Sequence, residues 1–436
     1  MYCDQCEQTF RGTGCTEMGV CGKSPDIESL QKILLYGLKG MAAYKHHARR
    51  LGRTDAETDA FTEEALFATV TNVNFDADTL LEMALECGRV NLKVMQMLND
   101  AHVEKMGQPA PAEITEGIQD GPGILVTGHD MVDLKNLLEQ SKDSGVKIYT
   151  HSEMLPAHMY PKLRKHNHLA GNYGGAWQLQ RNEFERFGGP ILATTNCVLI
   201  PRAENTYLDR LFTTRCTAIP GATRLTTDDF TPVIERAQQI GALKPTPLKK
   251  SMTGFHYTVL LGLADAIVKA VKEGAIKHFF VIGGCDGAEP GRNYFTEFAK
   301  NTPPDSLILT MGCGKYRIRD NEYGVVKLNG MEVPRLLDLG QCNDSYGAIQ
   351  VALALANVFK CGVNDLPLTL VVSWFEQKAV AVLLTLLYLG VKGIRLGPAL
   401  PAFVSPNVMK ILQEKFDLKP ISADPAGDAS AAVGKS

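Results

Sequence analysis

From Ile27 to about Met106, apolar residues return at helical spacing. Leu30, Ile33, Leu34, Leu38 and Met41 fall on one face of a first helix. A second, shorter helix fits Ala60 to Val70. A third begins near Asp76 and carries Leu80, Met83, Cys87, Val90, Val94 and Met97 on one face. Three helices with short links predict a small antiparallel bundle. Pro109-Ala110-Pro111 and the stretch Gly117 to Gly123 mark its exit. Beyond Gly123 the period changes. Short, largely apolar runs now recur: Ile124–Val126, Val146–Tyr149, Pro190–Ala193, Phe279–Ile282, Leu307–Thr310, Leu336–Leu339 and Leu368–Ser373. Such runs suit strands buried on both faces, and helical segments between them predict parallel sheets. The chain therefore reads as an α/β multidomain protein. Residues 1–118 form a cysteine loop and a helical bundle, and two α/β domains follow at 119–246 and 247–436, with the link near Thr246-Pro247.

Composition narrows the classes. The 436 residues are 45% hydrophobic and 21% charged, ordinary for a soluble globular protein with ample core. A net charge of −3 gives no footprint for nucleic acid. The start, MYCDQCEQTF, lacks the charged and apolar segments of a signal peptide. The longest apolar stretch, Ala379 to Val391, is too short to span a bilayer and reads as a core helix. A cytoplasmic location is expected, and there the eleven cysteines serve as metal ligands or core residues rather than disulfides. No G-x-G-x-x-G, no Walker A sequence and no solenoid-type repeat occurs.

The cysteines fall into two patterns. Cys3, Cys6, Cys15 and Cys21 are spaced C-x2-C-x8-C-x5-C, with Gly12, Gly14, Gly19 and Gly22 interleaved. Four thiolates in one short, wrapping loop suit zinc or an iron–sulfur cubane, and spacing does not separate the two. The others stand singly at strand ends. His129, Glu153, Cys197, Cys285, Cys313, Cys342 and Glu376 each follow one of the seven apolar runs. Parallel sheets bind ligands at the carboxyl ends of their strands. If two sheets face each other, these seven donors meet in one cavity. Soft thiolates together with two carboxylates and an imidazole suit a larger, less symmetric iron centre than a cubane. Each residue has a plainer alternative: a loop histidine, a helix-start carboxylate, a buried thiol. Lys378, two residues past Glu376, is a proton donor or counter-charge in one reading and a surface lysine in the other; Lys315 has the same two readings. Cys87, Cys216 and Cys361 read as structural, and the nine remaining histidines, His151 and His158 among them, stay unassigned.

At this point the motifs resemble a known family. GHD at Gly128, THSEMLPAHMYP from Thr150, TTNC at Thr194, GGCDG at Gly283, GCGKYR at Gly312, GQCNDSYG at Gly340 and SWFEQKAV at Ser373 look like the hybrid cluster proteins. These are also called prismane proteins or hydroxylamine reductases. The resemblance implies a helical domain and two Rossmann-like domains, related in fold to carbon monoxide dehydrogenases. It implies a 4Fe-4S cluster on Cys3, Cys6, Cys15 and Cys21. It implies a hybrid iron–sulfur–oxygen cluster of 4Fe-2S-2O type on His129, Glu153, Cys197, Cys285, Cys313, Cys342 and Glu376. Cys285 matches the cysteine that carries a persulfide, and Lys378 a lysine at the substrate-facing edge. Between Cys21 and Gly128 there is room for one helical bundle where longer members have two, so the chain resembles the short form. The expected activity is reduction of small nitrogen oxides, hydroxylamine to ammonia and water or nitric oxide, with electrons from a ferredoxin-like donor or separate reductase. A homodimer is expected. The alternatives are a nitric oxide sensor or S-nitrosylating factor, a nickel carbon monoxide dehydrogenase-like enzyme, and a zinc-stabilised α/β protein.

Overall fold

The computed structural model describes residues 1–434. Helix α1 (Pro25–Arg50) begins where its caps dictate. The Ser24 hydroxyl accepts from the Ile27 amide at 3.3 Å, Pro25 takes the first turn, and Asp26 and Glu28 stand at the positive end. Helices α2 (Ala56–Ala68) and α3 (Ala77–Met106) start on Asp55 and Asp76, whose carboxylates accept from amides of the first turn.

The bundle differs from the expected three-helix arrangement. Of α2, only Thr58, Ala65 and Ala68 are buried, so it lies at the periphery. The helix Gln377–Tyr388, from the far end of the chain, packs against both α1 and α3 instead. Two glycines admit it. A Cβ on Gly88 would lie 2.1 Å from the Leu384 carbonyl oxygen, and one on Gly40 would lie 2.3 Å from that of Gln377. The contact is also polar: the Thr385 hydroxyl donates to the Gly88 carbonyl at 2.9 Å and accepts from Asn91 Nδ2 at 3.0 Å. An amphipathic stripe predicts that a helix face is buried, but not which element covers it.

The first sheet holds β1 (Ala112–Glu116), β2 (Gly123–Thr127), β3 (Lys147–His151), β4 (Leu169–Asn172), β5 (Ile191–Ala193), β6 (Leu211–Thr214), β7 (Thr223–Leu225) and β8 (Lys249–Thr253). Their order is β7-β6-β5-β2-β3-β4-β1-β8. All neighbours are parallel except the edge pair β1–β8. This sheet takes in strands on both sides of the 119–246 segment. The second sheet is built from β9 (His278–Gly284) and β10 (Ser306–Thr310), then, past a small antiparallel hairpin of β11 (Val325–Leu328) and β12 (Met331–Pro334), from β13 (Leu336–Asp338), β14 (Leu368–Ser373), β15 (Arg395–Gly397) and β16 (Lys419–Pro420). Its order is β13-β10-β9-β14-β15-β16, all parallel.

The topology places the candidate donors. β5, β2 and β3 are consecutive in the first sheet, and β13, β10, β9 and β14 are consecutive in the second. Every loop bearing one of the seven strand-end donors therefore leaves the carboxyl end of a strand beside another such strand. No helix among the described residues is long and apolar enough to cross a membrane.

Candidate functional site

The two sheets meet at these loops. The Gln341 side-chain amide donates to the Glu153 carbonyl at 2.7 Å and to the His129 carbonyl at 3.2 Å, tying the loop after β13 to those after β3 and β2. The Ser152 hydroxyl lies 3.3 Å from Cys313 Sγ, joining the β3 and β10 loops. Trp177 Nε1 and Gln178 Nε2 both donate to the Cys285 carbonyl at 3.0 Å. Gln180 donates to the Cys197 carbonyl at 2.6 Å and accepts from the Leu199 amide at 2.9 Å. Cys197 itself sits at φ 65°, a left-handed conformation that costs a non-glycine residue free energy and is held here by those bonds.

At the centre, His129, Glu153 and Cys342 bring one ligand atom each within 4.8 Å of one another. His129 Nε2 is 3.8 Å from Glu153 Oε2, and the Cys342 amide donates to that same oxygen at 2.8 Å. Lys378 is buried, its Nζ 2.9 Å from His129 Nε2 and 4.0 Å from Glu376 Oε1. An ammonium can only donate, so Nε2 is the accepting nitrogen and the ring proton sits on Nδ1, 2.8 Å from Thr195 Oγ1. The Nε2 lone pair is thereby aimed into the site, as a metal-binding imidazole requires.

The remaining donors share this electrostatic neighbourhood. Burial pushes the Cys313 thiol well up, and the Glu153 charge adds to it. Cys197 is raised well above the usual thiol range by burial, which Lys378 opposes and Glu376, Cys313 and Cys285 reinforce. Cys285 is raised by burial and by the nearby Glu376 and Cys342. Cys342 is pushed up to about 12, chiefly by burial. Burial likewise raises Glu153 and drops His129 well below the usual imidazole range. For Lys378, burial alone would lower the value, but Cys342, Glu376, Cys197 and Glu153 outweigh it and raise it. His129, Glu153 and Cys342 thus meet directly, Lys378 stands against His129 and near Glu376, Cys285 shares a cavity wall with Cys342 and Lys378, and Cys197 and Cys313 lie within their electrostatic reach.

The chemistry of the set fits a resident cationic group. Four thiols, two carboxyls and an imidazole are set against one buried ammonium, that of Lys378, which touches His129 and lies near Glu376. Glu153 Oε1 is buried with no hydrogen-bond partner, a costly condition that a metal ion relieves. A cavity of about 110 Å³ opens on the Cys285, Cys342 and Lys378 side of the site. Tyr44, Cys285, Cys342 and Lys378 line one end, and aliphatic side chains such as Val281, Ile349 and Leu383 line the rest.

The amino-terminal cysteines lie elsewhere, at the start of α1. Cys3 and Cys15 face each other across a two-bond bridge, the Cys3 amide donating to the Cys15 carbonyl at 3.0 Å and the reverse at 2.8 Å. Cys6 stands in the bend between them and Cys21 in the turn before the helix. Cys3 and Cys15 are buried, Cys6 is partly so and Cys21 is exposed. Cys87 is buried in the helical core and raised to about 12 by that burial, while Cys216 is exposed. All eleven cysteines are free.

Several site residues carry no mark in the sequence. Tyr44, whose hydroxyl donates to Cys342 Sγ at 3.5 Å, falls on the apolar stripe of α1 and reads as core. Ser152 and Gln341 adjoin ligand candidates in the chain and Thr195 lies two residues before Cys197, and that nearness is the one signal they give. Lys315 is buried rather than on the surface. Its ammonium donates to the Gly340 carbonyl at 2.7 Å and pairs with Asp338 at 2.6 Å, so it pins the loop that carries Cys342. His151 and His158 make ordinary hydrogen bonds, to Glu183 and Thr150 respectively.

The family model described as Prismane/CO dehydrogenase family matches residues 1–84 and 76–426. A "Hydroxylamine reductase" of Moorella thermoacetica is 57% identical over 422 residues, covering 97% of each chain. One from Thermotoga maritima is 50% identical over 423 residues, again 97% of each. One from Geobacter metallireducens is 41% identical over an alignment of 554 positions that covers both chains fully, so that relative holds a stretch this chain lacks. Among solved structures, carbon monoxide dehydrogenase IV from Carboxydothermus hydrogenoformans superposes with a TM-score of 0.79 at 16% identity, covering 99% of this chain and 92% of that one. At that identity the likeness concerns the fold alone.

Proposed function

Since this chain belongs to the prismane/CO dehydrogenase family, we propose that its interior site is where it works as an iron–sulfur oxidoreductase, reducing hydroxylamine to ammonia and water. The observation that supports this reading is the meeting of His129, Glu153 and Cys342 within 4.8 Å, on a glutamate whose other carboxylate oxygen is buried without a partner, at the carboxyl ends of strands whose neighbours bear Cys197, Cys285, Cys313 and Glu376. These seven would hold the hybrid iron–sulfur–oxygen cluster, with Cys285 as the thiol open to sulfuration. Cys3, Cys6, Cys15 and Cys21 would hold a 4Fe-4S cluster that passes electrons inward from a donor protein. When bound, the interior cluster supplies redox-active, Lewis-acidic iron.

The reaction needs two electrons and two protons for each hydroxylamine, NH2OH + 2e⁻ + 2H⁺ → NH3 + H2O. The chain's own residues meet the proton demand. Lys378 holds an ammonium inside the site, beside His129 and Glu376, placed to donate to the departing oxygen. Tyr44 offers a second hydroxyl proton at Cys342. Thr195 fixes the His129 tautomer, and Gln341 fixes the two loops that bear His129 and Glu153. The aliphatic cavity wall keeps bulk water from the far side of the site.

That same cavity favours nitric oxide as a second substrate. A small ligand that forms weak hydrogen bonds partitions into an aliphatic passage more readily than hydroxylamine does. The reading also takes the protein as cytoplasmic and as a homodimer, and its domains as residues 1–118, 119–246 and 247–436. Eleven unpaired cysteines support the reducing compartment.

The test is anaerobic purification followed by iron, sulfide and nickel analysis, electron paramagnetic resonance, and ammonia release from hydroxylamine with reduced viologen. Iron and sulfide without nickel, with stoichiometric ammonia, is the expected result. Stoichiometric nickel, or fully iron-loaded protein that leaves hydroxylamine untouched, would end the proposal.

A further inference from the structure

Beside the amino-terminal cysteine loop lies an ion pair that the reaction as described does not use. Lys23 is wholly excluded from solvent, and its Nζ is 2.9 Å from Glu28 Oε2, itself buried on the first turn of α1. The same ammonium is 3.7 Å from Cys3 Sγ and donates to it. Lys32, partly exposed, sits 3.2 Å from the other Glu28 oxygen and donates to the Tyr2 carbonyl at 2.5 Å. The backbone around Lys23 is fixed as well: its carbonyl accepts from the Gly19 amide at 2.8 Å, and Ser24 next to it caps α1. A lysine buried this completely is rare, and its ammonium has been aimed at a sulfur.

We propose that the buried Lys23–Glu28 pair sets how readily the cluster on the Cys3 loop accepts an electron, with Lys23 acting through the Cys3 thiolate and Glu28 attenuating it. This rests on the reading above that Cys3, Cys6, Cys15 and Cys21 hold an iron–sulfur cluster. The step it governs is a one-electron transfer in which no bond forms or breaks. The cluster gains one negative charge, and the donor loses one electron. A positive charge hydrogen-bonded to a ligand sulfur stabilises the more negative, reduced form and raises the reduction potential. Because Lys23 is shielded from water and salt, its field is barely screened. Glu28 works in the opposite sense, since its charge disfavours added electrons. Lys32, with a partly exposed side chain, contributes a weaker version of the Lys23 effect.

The two roles the pair can have, tuning and bracing, are separable by sign. The holoprotein, purified anaerobically with its iron, is titrated with dithionite and ferricyanide while the paramagnetic signal of the amino-terminal cluster is followed. Lys23→Met, close to isosteric, is expected to move the midpoint to a more negative potential. Glu28→Gln is expected to move it to a more positive one, and Lys32→Met to shift it in the Lys23 direction by less. Unchanged midpoints with the iron retained would overturn the proposal. Shifts of the same sign in Lys23→Met and Glu28→Gln, or loss of the cluster from both, would make the pair a brace and overturn it too. Cys6→Ser tests the underlying reading separately. An unchanged iron content and signal in that variant would mean that the loop holds no cluster, whatever the midpoints do.

Discussion

The loop from Cys3 to Cys21 draws four like donors from one continuous stretch, whereas the interior site draws seven unlike donors from loops after seven strands of two sheets. The first set is half open to solvent, with Cys21 exposed and Tyr2, Phe10, Met18 and Val20 exposed around it. The second is more enclosed: Lys378, His129, Glu153 and Cys313 are buried, and Cys197, Cys285, Cys342 and Glu376 are partly so. The local set needs little more than a short loop and α1. The distant set exists only once both sheets and the helix Gln377–Tyr388 have docked. Drawing donors from distant segments is what allows mixed chemistry, because each strand end brings its own residue, here four cysteines, two glutamates and a histidine. A loop that supplies its donors from neighbouring positions suits a regular cluster that exchanges electrons at the surface. A pocket assembled from both sheets suits bond breaking away from water.

The comparison can be broken most directly with paired cysteine variants. Cys342→Ala should abolish hydroxylamine turnover and the interior paramagnetic signal while leaving the amino-terminal signal intact. Cys15→Ala should do the reverse to the signals and should block turnover only when electrons come through a protein donor. If one substitution erased both signals, the two regions would not be independent. Next in size, Lys378→Met should lower kcat by roughly 10²–10⁴-fold, the usual contribution of a positioned proton donor. Its iron content should stay unchanged, which metal analysis checks. Thr195→Val frees the His129 ring, and metal affinity or activity should fall by roughly 10–100-fold, as for other partners that orient a ligand. The smallest effect is expected from Tyr44→Phe. Losing a hydroxyl-to-sulfur hydrogen bond should cost about 0.5–1.5 kcal/mol in transition-state stabilisation, visible as a modest drop in kcat/KM.

Much of the sheet core could be read from the chain because strands buried on both faces must be apolar throughout. Ile124–Val126, Phe279–Ile282 and Leu307–Thr310 are such runs, and β2, β9 and β10 contain them. Two of the edges, β8 and β16, were not legible, although the β13 edge was read as Leu336–Leu339. β8 reads Lys-Lys-Ser-Met-Thr and is largely exposed, and β16 is a Lys-Pro dipeptide. Neither has an apolar period, since an edge strand buries little. The strand-end donors were found because each follows a readable apolar run. The core helix was read at Ala379–Val391, but its seat between α1 and α3, like the role of Tyr44, was missed for one shared reason: both depend on which surfaces meet. Gly40 and Gly88 were the available hint, small residues on otherwise well-formed helices.

The wedge also constrains the order in which the molecule can be made. Residues 25–106 leave the ribosome early, yet the partner that fits against Gly40 and Gly88 is Gln377–Tyr388, synthesised near the end. Until it arrives, the facing surfaces of α1 and α3 stand uncovered, and Tyr44 has no Cys342 to meet. Iron loaded on the amino-terminal loop during translation would be compatible with this schedule. The interior centre can be filled only after almost the whole polypeptide has been released, so the two insertions are separate events in the life of the nascent chain.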